Sequence, residues 1–300
     1  MRVVTLVAGA LAATAVATAG NPPDPRQAQV VATGPGPCGI AARAGSIWVG
    51  VYGSGDLLAI DDTSGRIETR VRVGRWACRV AVGPAALWVT RDLAGELVRV
   101  SHGSGHIRRV PVDVAFDVLL ARGSAWTTSA GKGTIAQLDA ASARLVRVYR
   151  DGAFPAGLTW CGGRIWVGHA ADLTWLTAIQ PATHRLTRVE VRTRSPNWPR
   201  CVGGELWVTV GDSMLRVDPT SGAVLARIHV GGTPVEAASG PDGLVWVTDK
   251  ERSLVFRIDP ATNAITDSFR AGRGAYTMAR AGDSMWITSF AGSDVRRFDR

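Results

Sequence analysis

The chain has 300 residues, 46% of them hydrophobic and 20% charged, which is ample for a large core. Thirty-five glycines and 15 prolines favour many turns over many helices, and point to a globular, β-rich protein. The net charge of +9 does not mark a nucleic-acid binder, because lysine occurs only as Lys132 and Lys250 and the arginines are scattered rather than clustered.

Residues 1–19 read as a secretory leader. Met1 and Arg2 form a basic head, an apolar run of small residues follows from Val3 to about Val16, and Ala17, Thr18 and Ala19 fit a small-x-small cleavage pattern. No later stretch approaches the roughly 20 apolar residues that span a bilayer. The mature chain, 20–300, is therefore expected to act outside the cytoplasm, secreted or in a bacterial cell envelope. No cysteine follows the leader to suggest a lipid anchor.

A hexamer then returns along the chain: "GSIWVG", "AALWVT", "GSAWTT", "GRIWVG", "GELWVT", "GLVWVT" and "DSMWIT". Its tryptophans are Trp48, Trp88, Trp126, Trp166, Trp207, Trp246 and Trp286, spaced by 40, 38, 40, 41, 39 and 40 residues. So regular a period marks one supersecondary unit used seven times.

Each unit predicts four strands in the same order. An apolar stretch such as "CRVAV" leads through a Gly-containing turn to the Trp strand; a third strand such as "MLRVD" follows, then a turn, then an alternating fourth strand such as "VLARIHV". The third-to-fourth turns "DDTSG", "SHGSG", "DPTSG" and "DPATN" place Gly65, Gly105, Gly222 and Asn263 where positive φ is needed. Four antiparallel strands repeated seven times predict an all-β, seven-bladed β-propeller.

The seventh unit stops at Arg300 after its third strand, and residues 27–33 read as a fourth strand without a unit of its own. Pairing the two would close the ring without leaving an open sheet edge. On the second strand of each blade, the repeated indoles would fill the gaps between blades, so they are read as packing.

Cys38, Cys78, Cys161 and Cys201 form an even set in an exported chain, which favours disulfides. Cys38 and Cys78 each stand ten residues before their Trp, and Cys161 and Cys201 five and six before theirs. Equivalent points on neighbouring blades predict the pairs Cys38–Cys78 and Cys161–Cys201.

In an up-and-down blade, the loops into the first strand and from second to third strand share one face, here the mouth face. The other face carries only tight turns. Ten and nine residues before each Trp, with slippage in the sixth unit, stand Cys38 and Gly39, Cys78 and Arg79, Phe116 and Asp117, Ala156 and Gly157, Asn197 and Trp198, Val235 and Glu236, and Tyr276 and Thr277. Arg75, Trp76 and Arg273 precede first strands, and Tyr52, Arg91, His169, Asp249, Lys250 and Phe290 sit in second-to-third connections. Trp76, Arg79, Arg91, Phe116, Asp117, Asn197, Trp198, Glu236, Asp249 and Tyr276 are thus expected to form a ligand-binding mouth.

Catalytic signals are sparse. The sequence holds no HExxH, CxxC, GxSxG or Gly-rich phosphate loop. His169 is the one histidine expected on the mouth face, where Asp249 and Glu236 would make it a candidate general base. Asp117, Glu236 and Asn197 are oxygen donors that a Mg2+ or Ca2+ could use.

The pattern Pro-x-Gly-Ile/Leu, a Gly-rich turn, "lWVT", then "hxhID(P)xTG", seen in "PCGIAARAGSIWVG" and "LWVTVGDSMLRVDPTSGAVLARIHVGGTPVE", resembles bacterial YVTN-repeat propellers and streptogramin B lyase-like propellers. The resemblance runs through the whole mature chain. It implies the propeller fold, and for the lyases an elimination that opens a cyclic depsipeptide at its ester with histidine and a divalent cation. The blade openings here, "PCGIA", "PAGLT" and "NWPRC", lack the histidine of "Pro-His-Gly-Ile", so no catalytic residue is transferred.

Two functions follow. The first is an exported, non-catalytic module that binds a protein, peptide or cell-envelope component through its mouth face, as a monomer and without nucleic acid. The second is a metal-dependent C–O lyase, hydrolase or lactonase acting on a small cyclic ester.

Overall fold

A computed structural model describes residues 25–152 and 154–300, and the leader 1–19 lies outside them. Seven four-stranded antiparallel sheets form the blades of a β-propeller. Blade 2 is typical: Ala77–Val82, Ala86–Arg91, Glu96–Ser101 and Ile107–Pro111 run from the channel outward. The single short helical turn among the described residues is Asp92–Ala94, in a mouth-face loop. No helix there is long and apolar enough to cross a membrane.

Blade 7 takes three strands from the end of the chain and its outermost strand from near the beginning. Arg26–Ala32 pairs antiparallel with Asp294–Asp299, setting Val31 against Val295 and Ala32 against Asp294. The ladder continues into a loop bond from the Thr33 N–H to the Ser293 carbonyl.

The core is divided into seven clusters, one per blade seam. In each, the second-strand indole of one blade packs on the next blade. Trp166 lies against Leu206 and Val208, Trp207 against Ala237 and Val247, and Trp286 against Ile40 and Val49. Six of these indoles are at most 1% exposed, whereas Trp48 is only half-buried, so the seam between blades 1 and 2 is the least filled by its tryptophan.

Two residues after the tryptophan, the chain chooses between two ways of binding a seam. Five blades carry threonine there. Its hydroxyl accepts the N–H of its own blade's first strand, as Thr90 does from Arg79 at 3.0 Å, and Thr128 and Thr248 also donate to the next blade, at the Ala156 and Tyr276 carbonyls. Blades 1 and 4 carry Gly50 and Gly168 instead. A Cβ at Gly50 would stand 2.4 Å from the Cys78 carbonyl oxygen, and one at Gly168 only 1.7 Å from that of Asn197. These two closely approached seams are the ones crossed by cystines: Cys38–Cys78 and Cys161–Cys201 have Cα separations of 4.8 and 5.5 Å.

The third-to-fourth turns adopt the conformations their residues allow. Gly65, Gly105, Gly222 and Asn263 all have φ between 61° and 78°, and Ala143 and His184 hold the same place in blades 3 and 4 at 55° and 58°. Asp61 and Asp139 accept the serine N–H three residues on, and those serine bonds hold both carboxyls below the ordinary carboxylate value. The turn face is thus built from short, self-satisfied loops.

Candidate functional site

First strands line the channel, so their side chains decide what it holds. Arg79 from blade 2, Asp117 from blade 3 and Glu236 from blade 6 all follow a buried backbone N–H tied to a second-strand threonine, respectively Thr90, Thr128 and Thr248. This fixes their backbones to the blade frame.

Their charges meet across the channel. Arg79 Nη1 lies 3.1 Å from Glu236 Oε2, and Arg200 from blade 5 donates through Nε to Glu236 Oε1 and through Nη1 to Asp117 Oδ2 at 3.3 Å. The result is one bridge of two guanidiniums and two carboxylates joining blades 2, 3, 5 and 6. Burial alone would raise the Glu236 carboxyl, but the charges of Arg200 and Arg79 outweigh it and hold the group below its ordinary value. Burial would likewise lower Arg200, and Glu236 and Asp117 reverse the sign.

Aromatic rings cover the mouth side of this bridge. The Arg79 guanidinium lies 4.3 Å from the Trp198 ring and 5.5 Å from that of Tyr276. From Tyr276 the series continues to Phe290 at 5.5 Å and on to Tyr52 at 6.0 Å; from Trp198 it continues to Phe116 at 6.4 Å and on to Phe154 at 5.5 Å. An arc of six rings joined through Arg79 therefore crosses the face. Lys250 stands over Tyr276 and Phe290 at 5.7 and 5.8 Å. Burial, reinforced by Asp92, pushes the Tyr52 phenol up to about 12, and burial also raises Tyr276. Both phenols are neutral at ordinary pH and serve as apolar surface with a polar tip.

The residue just before each first strand forms a rim. Glycine fills it in blades 1 and 7, where Gly36 and Gly274 have φ of 72° and 66°; blade 2 puts Trp76 there at φ 66°. Left-handed backbone at a bulky residue is strained. The indole is half-buried, with the Arg75 guanidinium 5.8 Å from its ring.

The other expected site residues join neither the bridge nor the arc of rings. Asp249 is fully buried and caps its own loop, accepting from the N–H groups of Glu251 and Arg252 and pairing with the Arg252 guanidinium at 2.6 Å. Arg91 pairs with Glu96, and Asn197 donates its N–H to Thr209 within blade 5, its side-chain oxygen buried without a donor. His169 does not meet Asp249 or Glu236. Its imidazole is fully buried, bonded to Asp151 Oδ2 at 2.6 Å and to the Trp175 carbonyl at 3.1 Å, with Thr177 beside it. The reason is positional: His169 and Asp249 both stand three residues after their tryptophan, where Val51, Ser129, Val210 and Ser289 are buried too.

A divalent cation does not suit these donors. All four oxygens of Asp117 and Glu236 take N–H donors from arginine or backbone, and Asn197 is held at a seam. Among the described residues, no group of three histidine, cysteine or acidic side chains could hold a metal ion.

No family model and no curated relative matches the chain in sequence. Among solved structures its fold is similar to a streptogramin B lyase, at 17% identity, covering 92% of this chain and 96% of that one with a TM-score of 0.77. It is also similar to catalytically inactive virginiamycin B lyase from Staphylococcus aureus with quinupristin, at 16% identity, 91% and 99% coverage and a TM-score of 0.79. BamB from Moraxella catarrhalis matches at 13% identity, 93% and 98% coverage and a TM-score of 0.68. At these identities the likeness is one of fold.

Proposed function

We propose that the chain is an exported binding propeller whose mouth face captures an extended peptide or protein segment carrying aromatic and acidic side chains. The observation that supports this most is the arc of six rings seated on the ion-paired bridge. A half-buried aromatic surface with a rigid floor suits recognition, because little side-chain order is lost on binding. Arg75 and Lys250 are exposed beside it and stack on rings, with no carboxylate partner among the described residues, so the surface favours acidic ligands. The strained Trp76 fits the same role, since a cheaper glycine fills its place in two other blades. Export is supported by the leader-like 1–19 and by two cystines, which persist in oxidising compartments.

The lyase reading draws on the fold shared with the two lyases. It would need a base and a cation at the channel, and His169 is sealed inside blade 4 against Asp151.

Selection of peptides from a random displayed library tests the proposal. Binders are expected to pair aromatic with acidic residues, and Trp76→Ala or Lys250→Ala to weaken them at least about tenfold, the scale of one interface anchor. Chelator and His169→Ala should leave peptide affinity unchanged. Peptides that ignore both mouth-face variants, or a depsipeptide ring-opening activity that requires His169, would reverse the assignment.

A further inference from the structure

Beneath the charged bridge the channel is not filled. A cavity of about 320 Å3 lies between first strands, with Arg79, Asp117, Arg200 and Glu236 at one end and Val82 and Leu120 among its apolar walls. Along these strands exposure increases away from the bridge: Arg79, Val80, Asp117 and Val118 are buried, whereas Ala81, Val82, Leu119 and Leu120 are half-buried. The cavity therefore opens towards the turn face, and the bridge with its aromatic cover closes it towards the mouth.

The polar end is unevenly satisfied. Asp117 Oδ1 accepts the Val118 N–H at 2.9 Å, and Oδ2 accepts the Leu158 N–H at 2.9 Å together with Arg200; each Glu236 oxygen has one guanidinium donor. Arg79, only 4% exposed, donates through Nη1 alone and keeps Nε–H and Nη2–H without an acceptor. Buried donors on a cation that lack acceptors are costly. What this end lacks is an acceptor for Arg79, since every carboxylate oxygen there already takes at least one N–H donor.

We infer that the cavity binds a small organic carboxylate, whose oxygens accept from Arg79 while its apolar body lies along Val82 and Leu120. The volume stands at the small end of ligand pockets, which run from roughly 300 to 1,000 Å3, so the body is limited to a short branched chain or one ring. The site is on the opposite side of the bridge from the peptide surface; the two share Arg79, but the inference does not require that a peptide binds the mouth.

Calorimetric titration of the intact mature chain tests this with 4-methylpentanoate and phenylacetate, each against its neutral amide and its amine of matching skeleton. The acids are expected to bind, the amides at least tenfold more weakly, and the amines not at all. Arg79→Gln is expected to lower acid affinity more than tenfold. Because that variant also disturbs the bridge, Leu120→Trp provides a second arm: it fills the cavity away from the charges and should abolish acid binding while leaving mouth-face peptide binding intact. Equal affinity for acid and amide, acid binding that survives Leu120→Trp, or no acid binding at millimolar concentration would each overturn the inference, the last meaning that water alone satisfies Arg79.

Discussion

Glu236→Ala is expected to lower the free energy of unfolding by about 3–5 kcal/mol, the scale for removing one partner of a buried charge pair. Among the described residues Glu236 is the only carboxylate paired with Arg79, and it shares Arg200 with Asp117. Its loss leaves the Arg79 guanidinium 4% exposed between Trp198 and Tyr276 with no counter-charge. The exposed pair Arg194–Asp172, closed to 3.1 Å but with both side chains more than half in solvent, sets the contrast. Asp172→Ala should cost less than about 1 kcal/mol. Urea unfolding of the two variants beside the parent chain measures both.

Trp207→Ala is expected to cost about 3–5 kcal/mol, as for a large aromatic removed from a packed interior. Trp207 is fully buried and fills the seam between blades 5 and 6 against Met214, Ala237, Val245 and Val247. Trp48 occupies the same place in the repeat but is half-buried, and a cystine also crosses its seam. Trp48→Ala should therefore cost clearly less. Equal losses in the same urea experiment would mean that the seven seams do not depend on indole burial.

Much of the fold was legible because a propeller repeats its physics. The forty-residue spacing of tryptophans reflects one seam per blade, and the change from "WVT" to "WVG" at Gly50 and Gly168 coincides with the two cystines, since only a residue without Cβ admits that approach. The candidate site was legible only in part. Arg79, Phe116, Asp117, Trp198, Glu236 and Tyr276 were found from their place before the tryptophan, and they do converge. Arg200 was missed: it stands seven residues before Trp207, off the register used for the others, and its long side chain reaches Asp117 and Glu236 across the channel. Such pairings depend on where blades sit around a circle, which no linear spacing records. His169 and Asp249 do end second strands at the mouth, but their side chains turn inward. The same column in other blades, where Val51 and Val210 are apolar, already marks a buried position.

The pH dependence of the bridge follows from the lowered Glu236 carboxyl. A carboxylate whose folded value is depressed contributes stability that is fully present above its ordinary value, near 4.5, and is lost as pH falls through the lowered one. The most direct test is a carbon-13 carboxyl titration of the native protein, with the Glu236 resonance assigned by its absence in Glu236→Gln. A midpoint clearly below 4.5 is the predicted result. A midpoint at or above 4.5 would show a desolvated carboxyl without its two arginines, and would remove the bridge on which both the aromatic surface and the cavity rest.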